Sequence, residues 1–176
     1  MELFIISLLI LLNGFFALSE IALISSKKTR LEQLRNEGHK GSRTALRLLE
    51  NSESFLSSIQ VGITLIGIIT GVFGGLSIAD DITPFFRKFD LLANSAEEIS
   101  LAITVIVITY FSIVIGELVP KTIALSNPEK IAVRIAPPIY WFSVIFYPVV
   151  KFLSTSTSLI NKLLGIKRQA PYITEG

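Results

Sequence analysis

The sequence predicts an all-α membrane protein with three transmembrane helices and a cytoplasmic juxtamembrane helical belt. Three observations predict it. Of the 176 residues, 51% are hydrophobic, more than a soluble domain of this length can bury. The apolar residues are grouped: residues 3–26 carry one charge, Glu20; residues 54–79 carry none; residues 99–119 carry only Glu117. Each run is long enough to cross a hydrocarbon core of about 30 Å, which takes about 20 helical residues. The charge of the connections also alternates, which gives the spans a direction.

The first span, about 3–26, lies where a signal peptide would lie. It lacks a basic leader, since Glu2 follows Met1, and its apolar run exceeds the usual length of about 7–15 residues, so it reads as a true span. Residues 27–53 follow with seven basic side chains (Lys27, Lys28, Arg30, Arg35, Lys40, Arg43 and Arg47), whereas residues 80–98 hold Asp80, Asp81, Asp90, Glu97 and Glu98 against Arg87 and Lys88. The basic excess places the first connection in the cytoplasm and the N-terminus outside the cell membrane. Leu31, Leu34, Leu46, Leu48 and Leu49 among those charges predict amphipathic helix near the inner surface.

The second span, about 54–79, carries Gly67, Gly71 and Gly75 four apart on one face. Such a face lets helices approach closely, either within one subunit or at a dimer seam. The third span, about 99–125, returns the chain to the cytoplasm at Lys121, so residues 1–130 form the transmembrane domain. The fourth apolar region, within 131–170, contains Arg134, Pro137, Pro138 and Pro148, with Tyr140, Trp141 and Tyr147 suited to the headgroup level. A fourth crossing would place Lys151, Lys162, Lys167 and Arg168 outside. The expectation is therefore interfacial helices on the cytoplasmic side, with four spans as the alternative. The polar end, "RQAPYITEG", reads as leading into a further cytoplasmic domain.

Composition also excludes. Without cysteine there is no disulfide or thiolate metal site, and the one histidine, His39, sits in a polar stretch. HExxH and GxSxG are both missing, no Ser–His pair lies in the spans, and no enzyme is expected. The net charge of +2 gives no reason to expect nucleic acid as a partner; the lipid bilayer is the expected surroundings.

The chemistry concentrates in "GELVPK", residues 116–121. Pro120 has no N–H, so in a regular helix the Gly116 carbonyl loses its donor. An unmet backbone group at membrane depth is costly unless protein, water or an ion meets it. Glu117 stands beside that oxygen, and hard cations take such oxygen ligands. Asn13, Ser19, Glu20, Ser25 and Ser26 add polar atoms to the first span, and Gln60 and Thr64, four apart, add them to the second. Ser19 and Ser25 could meet one ion only if the helix were irregular or one gave a carbonyl. Bland alternatives stand beside each: a Glu117–Lys121 ion pair at i, i+4, serines bonded to their own helix, and Glu20 in a structural pair.

The segments "NGFFALSEIALISSKKTRLEQL", "FLSSIQVGITLIGIITGVFGG" and "GELVPKTIAL" occur in this order over nearly the whole chain, and together they resemble the membrane domain of the CorC/cyclin-M magnesium transporters. The resemblance implies a homodimer with three spans per subunit and a juxtamembrane belt. It implies Mg²⁺ export, thought to be coupled to Na⁺, and metal ligands at Ser19, Ser25, Gly116 and Glu117. The family's cytoplasmic CBS and CorC-type domains are not in these residues. The functional expectation is a largely dehydrated Mg²⁺ held between the spans and exported by alternating access; the alternative is a non-transporting scaffold or Mg²⁺ sensor.

Overall fold

The structure is a computed structural model and describes residues 1–166. Lys167, Arg168 and the polar end on which the sequence reading drew lie outside the described residues. Within them the chain is helical, with no strand: α1 (Glu2–Ser25), α2 (Lys28–Asn36), α3 (Lys40–Glu50), α4 (Ser52–Phe86), α5 (Ala96–Ile113), a π-helical turn (Val114–Leu118), α6 (Val119–Ser126) and α7 (Pro128–Leu163). A short 3₁₀ turn, Ala93–Ser95, precedes α5. Helix α1 is the hub: it packs against α4, α7, α6 and the π turn, while α5 pairs with α4.

Helix α1 ends at Ser26, whose extended backbone (ψ 134°) turns the chain away. The basic connection then forms two helices instead of one. Gly38, at φ +91°, makes the reversal between them, a conformation that costs other residues a Cβ clash. Leu31, Leu34, Ala45 and Leu48 are buried, and they join Leu23, Phe55, Ile135 and Ile139 in one core. The apolar face predicted to lie on the inner membrane surface thus seats on protein, chiefly on α7.

That seat is tight. Pro137 cannot donate to the Val133 carbonyl, and Gly41 of α3 lies against that oxygen, so a Cβ at residue 41 would collide with it. The glycine hydrogen in the Cβ position points at the carbonyl, a weak contact that closes the gap between the backbones. Gly41→Ala is therefore expected to push α3 off α7. The cost is about 1–3 kcal/mol or more, read as a fall in the midpoint of thermal unfolding; an unchanged midpoint would show that α3 contributes nothing to stability.

Helix α4 meets α1 and α7 where Gly62 leaves room for Phe142, whose ring lies 4.6 Å from that of Phe16. Gly74 faces Ile108 and Ile6, but Gly67 and Gly71 face open space. Of the glycine face read from the sequence, the part at 67 and 71 is not used for packing among the described residues.

The fourth apolar region differs from expectation. Its three prolines were expected to oppose a straight helix, yet α7 runs unbroken through Pro137, Pro138 and Pro148. Helix packing and the neighbouring α3 cover one of the freed carbonyls. By length and composition, four segments could cross a membrane: Glu2–Ser25, Ser52–Phe86, Ala93–Ser126 and Pro128–Leu163. Their outward faces, with Leu8, Ile68, Val72, Ile106 and Leu125 exposed, are those of a multi-pass membrane protein.

Candidate functional site

Three elements supply the site. From α1, Asn13, Ala17 and Glu20 follow at helical spacing on one face; from α4 come Gln60, Ile63 and Thr64; from the third apolar segment come Glu117 and Lys121. Together they line a cavity of about 300 Å³. Six of these eight side chains are polar, in a part of the molecule otherwise built of oily helix.

Pro120 organises the third wall. With no N–H at 120, the chain relaxes into a π turn over Val114–Leu118, and the Val119 N–H donates to the Val114 carbonyl. Such bulges are uncommon and recur at functional sites. Gly14 and Gly116 let α1 approach this turn: a Cβ on Gly14 would stand 3.0 Å from Pro120 Cγ and 3.1 Å from the Ile115 carbonyl oxygen, and one on Gly116 would stand 3.3 Å from Asn13 Nδ2.

The approach answers the question of the freed carbonyl. Asn13 Nδ2 donates to the Gly116 oxygen at 3.0 Å, so this oxygen is not bare, as the sequence suggested, but capped across helices. A carbonyl has two lone pairs, so one cap does not by itself exhaust its capacity. The bond also fixes the amide. With its donor end committed, Asn13 keeps a free acceptor, Oδ1, which is buried without a partner among the described residues, in a side chain that borders the cavity. An orphaned acceptor of this kind costs about 1–3 kcal/mol and is relieved by a donor or a cation.

Glu117 accepts a hydrogen bond from Lys121 Nζ at 2.7 Å, the i, i+4 ion pair anticipated as the bland alternative. Both ends are partly exposed, 48% for Glu117 and 32% for Lys121. A pair this open is worth roughly 0–1 kcal/mol in water, so it is easily exchanged for a stronger partner. The formal charge of the lining is that of two carboxylates (Glu20, Glu117) against one ammonium (Lys121), a net of one negative charge.

The serines fall elsewhere. Ser19 is fully buried and donates to its own helix at the Phe15 carbonyl, 2.6 Å; Ser26 does the same with Ala22, 2.6 Å. Helix α1 runs regularly to Ser25, without the irregularity that would bring Ser19 and Ser25 to one point. Neither Ser19 nor Ser25 lines the cavity with Glu117, and the buried Gly116 lies behind its wall, whereas Asn13, Glu20, Gln60, Thr64 and Lys121 line it. Ala17 and Ile63 are the lining residues that sequence reasoning missed. The signal for Ala17 was present in the seven-residue spacing of Asn13 and Glu20, whose face passes through it. Among the described residues no three His, Cys, Asp or Glu side chains gather into a metal centre. A cation here would meet one or two carboxylates and otherwise neutral oxygens, a donor set that suits Mg²⁺ better than a soft transition metal.

The comparisons with known proteins agree with this architecture. The cyclin M transmembrane N-terminal domain matches residues 4–176. UPF0053 protein sll0260 of Synechocystis is 46% identical over 99% of this chain and 39% of its own length. UPF0053 protein YhdP of Bacillus subtilis is 32% identical over 94% of this chain and 37% of its own. The polyamine export protein of Salmonella typhimurium is 29% identical over 94% of this chain and 37% of its own. The chain thus spans less than two fifths of the length of these relatives. It belongs to the cyclin M transmembrane domain family.

Proposed function

We propose that this chain is the membrane domain of a transporter that exports Mg²⁺ from the cytoplasm, with Na⁺ as the driving ion. The observation that carries the reading is Asn13: its amide caps the Gly116 carbonyl and leaves a buried acceptor beside a cavity of net negative charge. Glu117 supplies the charge, Gly116 and Asn13 supply carbonyl oxygens, and Gln60 and Thr64 face the same space from α4. Ser19 and Ser25, implied as ligands by the resemblance, would have to break a helix bond or move to take part. The Glu117–Lys121 pair gives the site a resting partner that an arriving cation displaces. The experiment is Mg²⁺ efflux from vesicles holding the purified chain, with and without a Na⁺ gradient. A scaffold or sensor would move no Mg²⁺.

A second reading has one observation in its favour, the similarity to a polyamine exporter. An alkyl diamine would set one ammonium against Glu117 and donate to Asn13 Oδ1, and about 300 Å³ is ample for it. Unlabelled diamine competing with Mg²⁺ in the same vesicles would favour this reading.

The topology we propose has three crossings, with α7 on the cytoplasmic side. The Lys27 backbone N–H donates to Glu129 Oε1 at 3.3 Å, which puts the start of α7 beside the start of the basic connection. Because the chain has no cysteine, single cysteines report cleanly. Thr155→Cys is expected to resist an impermeant thiol reagent added from outside, and labelling from outside would establish four crossings. The homodimer that the resemblance implies would use the free Gly67–Gly71 face, and its mass in detergent should be twice that of the chain.

A further inference from the structure

A second, larger hollow of about 840 Å³ lies between α4 and the C-terminal half of α7. Its walls match chemically. On α4, Ser57, Gln60 and Thr64 follow at three- and four-residue spacing; on α7, Ser154, Ser158 and Asn161 do the same, so each set forms a stripe along one helix face. Ser57 donates to its own helix at the Glu53 carbonyl (2.8 Å), and apolar residues such as Leu65 and Leu153 share the lining. Gln60, Thr64, Ser154, Ser158 and Asn161, however, have no side-chain partner among the described residues. Hydrocarbon would leave these five unmet, and water would meet them. Two hydroxyls of α7 at the hollow stand out. Thr155, Ser156 and Thr157 donate to their own helix at the Lys151, Phe152 and Leu153 carbonyls (2.8, 3.0 and 2.9 Å), Thr157 doing so although it also borders the hollow, whereas Ser154 and Ser158 make no such bond.

Gln60 and Thr64 line both this hollow and the Glu117 cavity, so the two spaces adjoin along one turn of α4. Among the described residues no carboxylate lines the larger one, and the one charged side chain is the Lys162 ammonium in the last turn of α7. This lining has no anionic group to hold a cation.

We propose that this hollow is a hydrated vestibule through which a small hydrophilic cation reaches the Glu117 cavity, with Gln60 and Thr64 at the threshold. The proposal rests on the transporter reading for the identity of the cargo but not for the route. The α7 stripe is then part of the pathway, and filling it closes the way in.

The test uses the whole chain in detergent and a methanethiosulfonate carrying a fixed ammonium. Thr64→Cys is expected to react at least tenfold faster than Ile160→Cys, an exposed apolar position on α7. Adding Ser158→Trp should slow the reaction at Thr64→Cys at least tenfold, whereas Ser158→Ala should leave it unchanged. Ser154→Trp serves as the second filler if the first lowers the unfolding midpoint. An unchanged rate with either well-folded filler would show that the cavity opens elsewhere and overturn the proposal. An unreactive Thr64→Cys would overturn it as a dry hollow, and a disulfide between two copies of Ser158→Cys on mild oxidation would overturn it as a subunit seam. In vesicles, Ser158→Trp should cut Mg²⁺ efflux at least tenfold. If the parent chain moves no Mg²⁺, the cargo assignment fails, while the labelling rates still decide the vestibule.

Discussion

Glu117→Gln is expected to reduce Mg²⁺ affinity by at least about 100-fold while leaving the protein folded. Glutamine preserves volume and one carbonyl oxygen, so the packing of the π turn against Gly14 is untouched. What is removed is a unit of negative charge. A unit pair about 4 Å apart is worth roughly 4 kcal/mol at an effective dielectric near 20, and a divalent ion doubles the interaction. Even after the competing Lys121 ammonium is discounted, the loss exceeds what a neutral oxygen restores, because Mg²⁺ sheds its waters reluctantly. Stability should change little, since the Glu117–Lys121 pair is half open to solvent. Calorimetric Mg²⁺ titration beside thermal unfolding of both proteins is the check. If Glu117→Gln binds Mg²⁺ as the parent does, Glu117 serves only to hold Lys121. Residual binding that vanishes on a further Glu20→Gln exchange would assign the remaining charge to α1.

Legibility in the sequence followed the physics of each signal. The long apolar runs and the basic connection were readable because bilayer thickness and the positive-inside bias act on composition alone. The interruption at "GELVPK" was readable because proline removes a donor whatever surrounds it. Which residue meets the freed carbonyl was not, because that is a contact between helices 103 residues apart in the chain. On α1, two pairs share the seven-residue spacing: Ser19 with Ser26, and Asn13 with Glu20. Periodicity cannot choose between them; the close approach of Gly14 to Pro120 does, and it turns Asn13 and Glu20 to the cavity. The unbroken α7 escaped notice for a related reason. The cost of a proline in a helix depends on what the freed carbonyl finds, and at Val133 it finds Gly41.

Asn13→Leu tests whether the amide is a ligand or only a cap, and it is expected to lower Mg²⁺ affinity at least tenfold while the protein still folds. Leucine keeps the branch point of asparagine, but its methyl groups are larger than the amide they replace, so the close contact with Gly116 must open slightly at an overpacking cost of about 1–3 kcal/mol. The polar effects on stability nearly offset. The parent has one bond, Nδ2 to the Gly116 oxygen, and one buried acceptor without a partner, Oδ1. The variant has no bond and one acceptor without a partner, the Gly116 oxygen. The net loss is that of a single hydrogen bond, roughly 0.5–1.5 kcal/mol. Affinity has no such offset, because the carbonyl oxygen of the side chain is lost outright. The Gly116 oxygen, freed of its cap, is left to compensate on its own. If the cap merely competed with the ion for Gly116, Asn13→Leu would bind Mg²⁺ more tightly than the parent. The direction of the change in calorimetric affinity therefore separates the two roles. Pro120→Ala completes the comparison by supplying a backbone N–H at residue 120. Should it bond to the Gly116 oxygen and release Asn13 Nδ2, the amide loses its orientation and affinity falls although Asn13, Gly116 and Glu117 are all still in place. Unchanged affinity in both Asn13→Leu and Pro120→Ala would remove the π turn and its cap from the binding site and leave Glu117 to act with α4 alone.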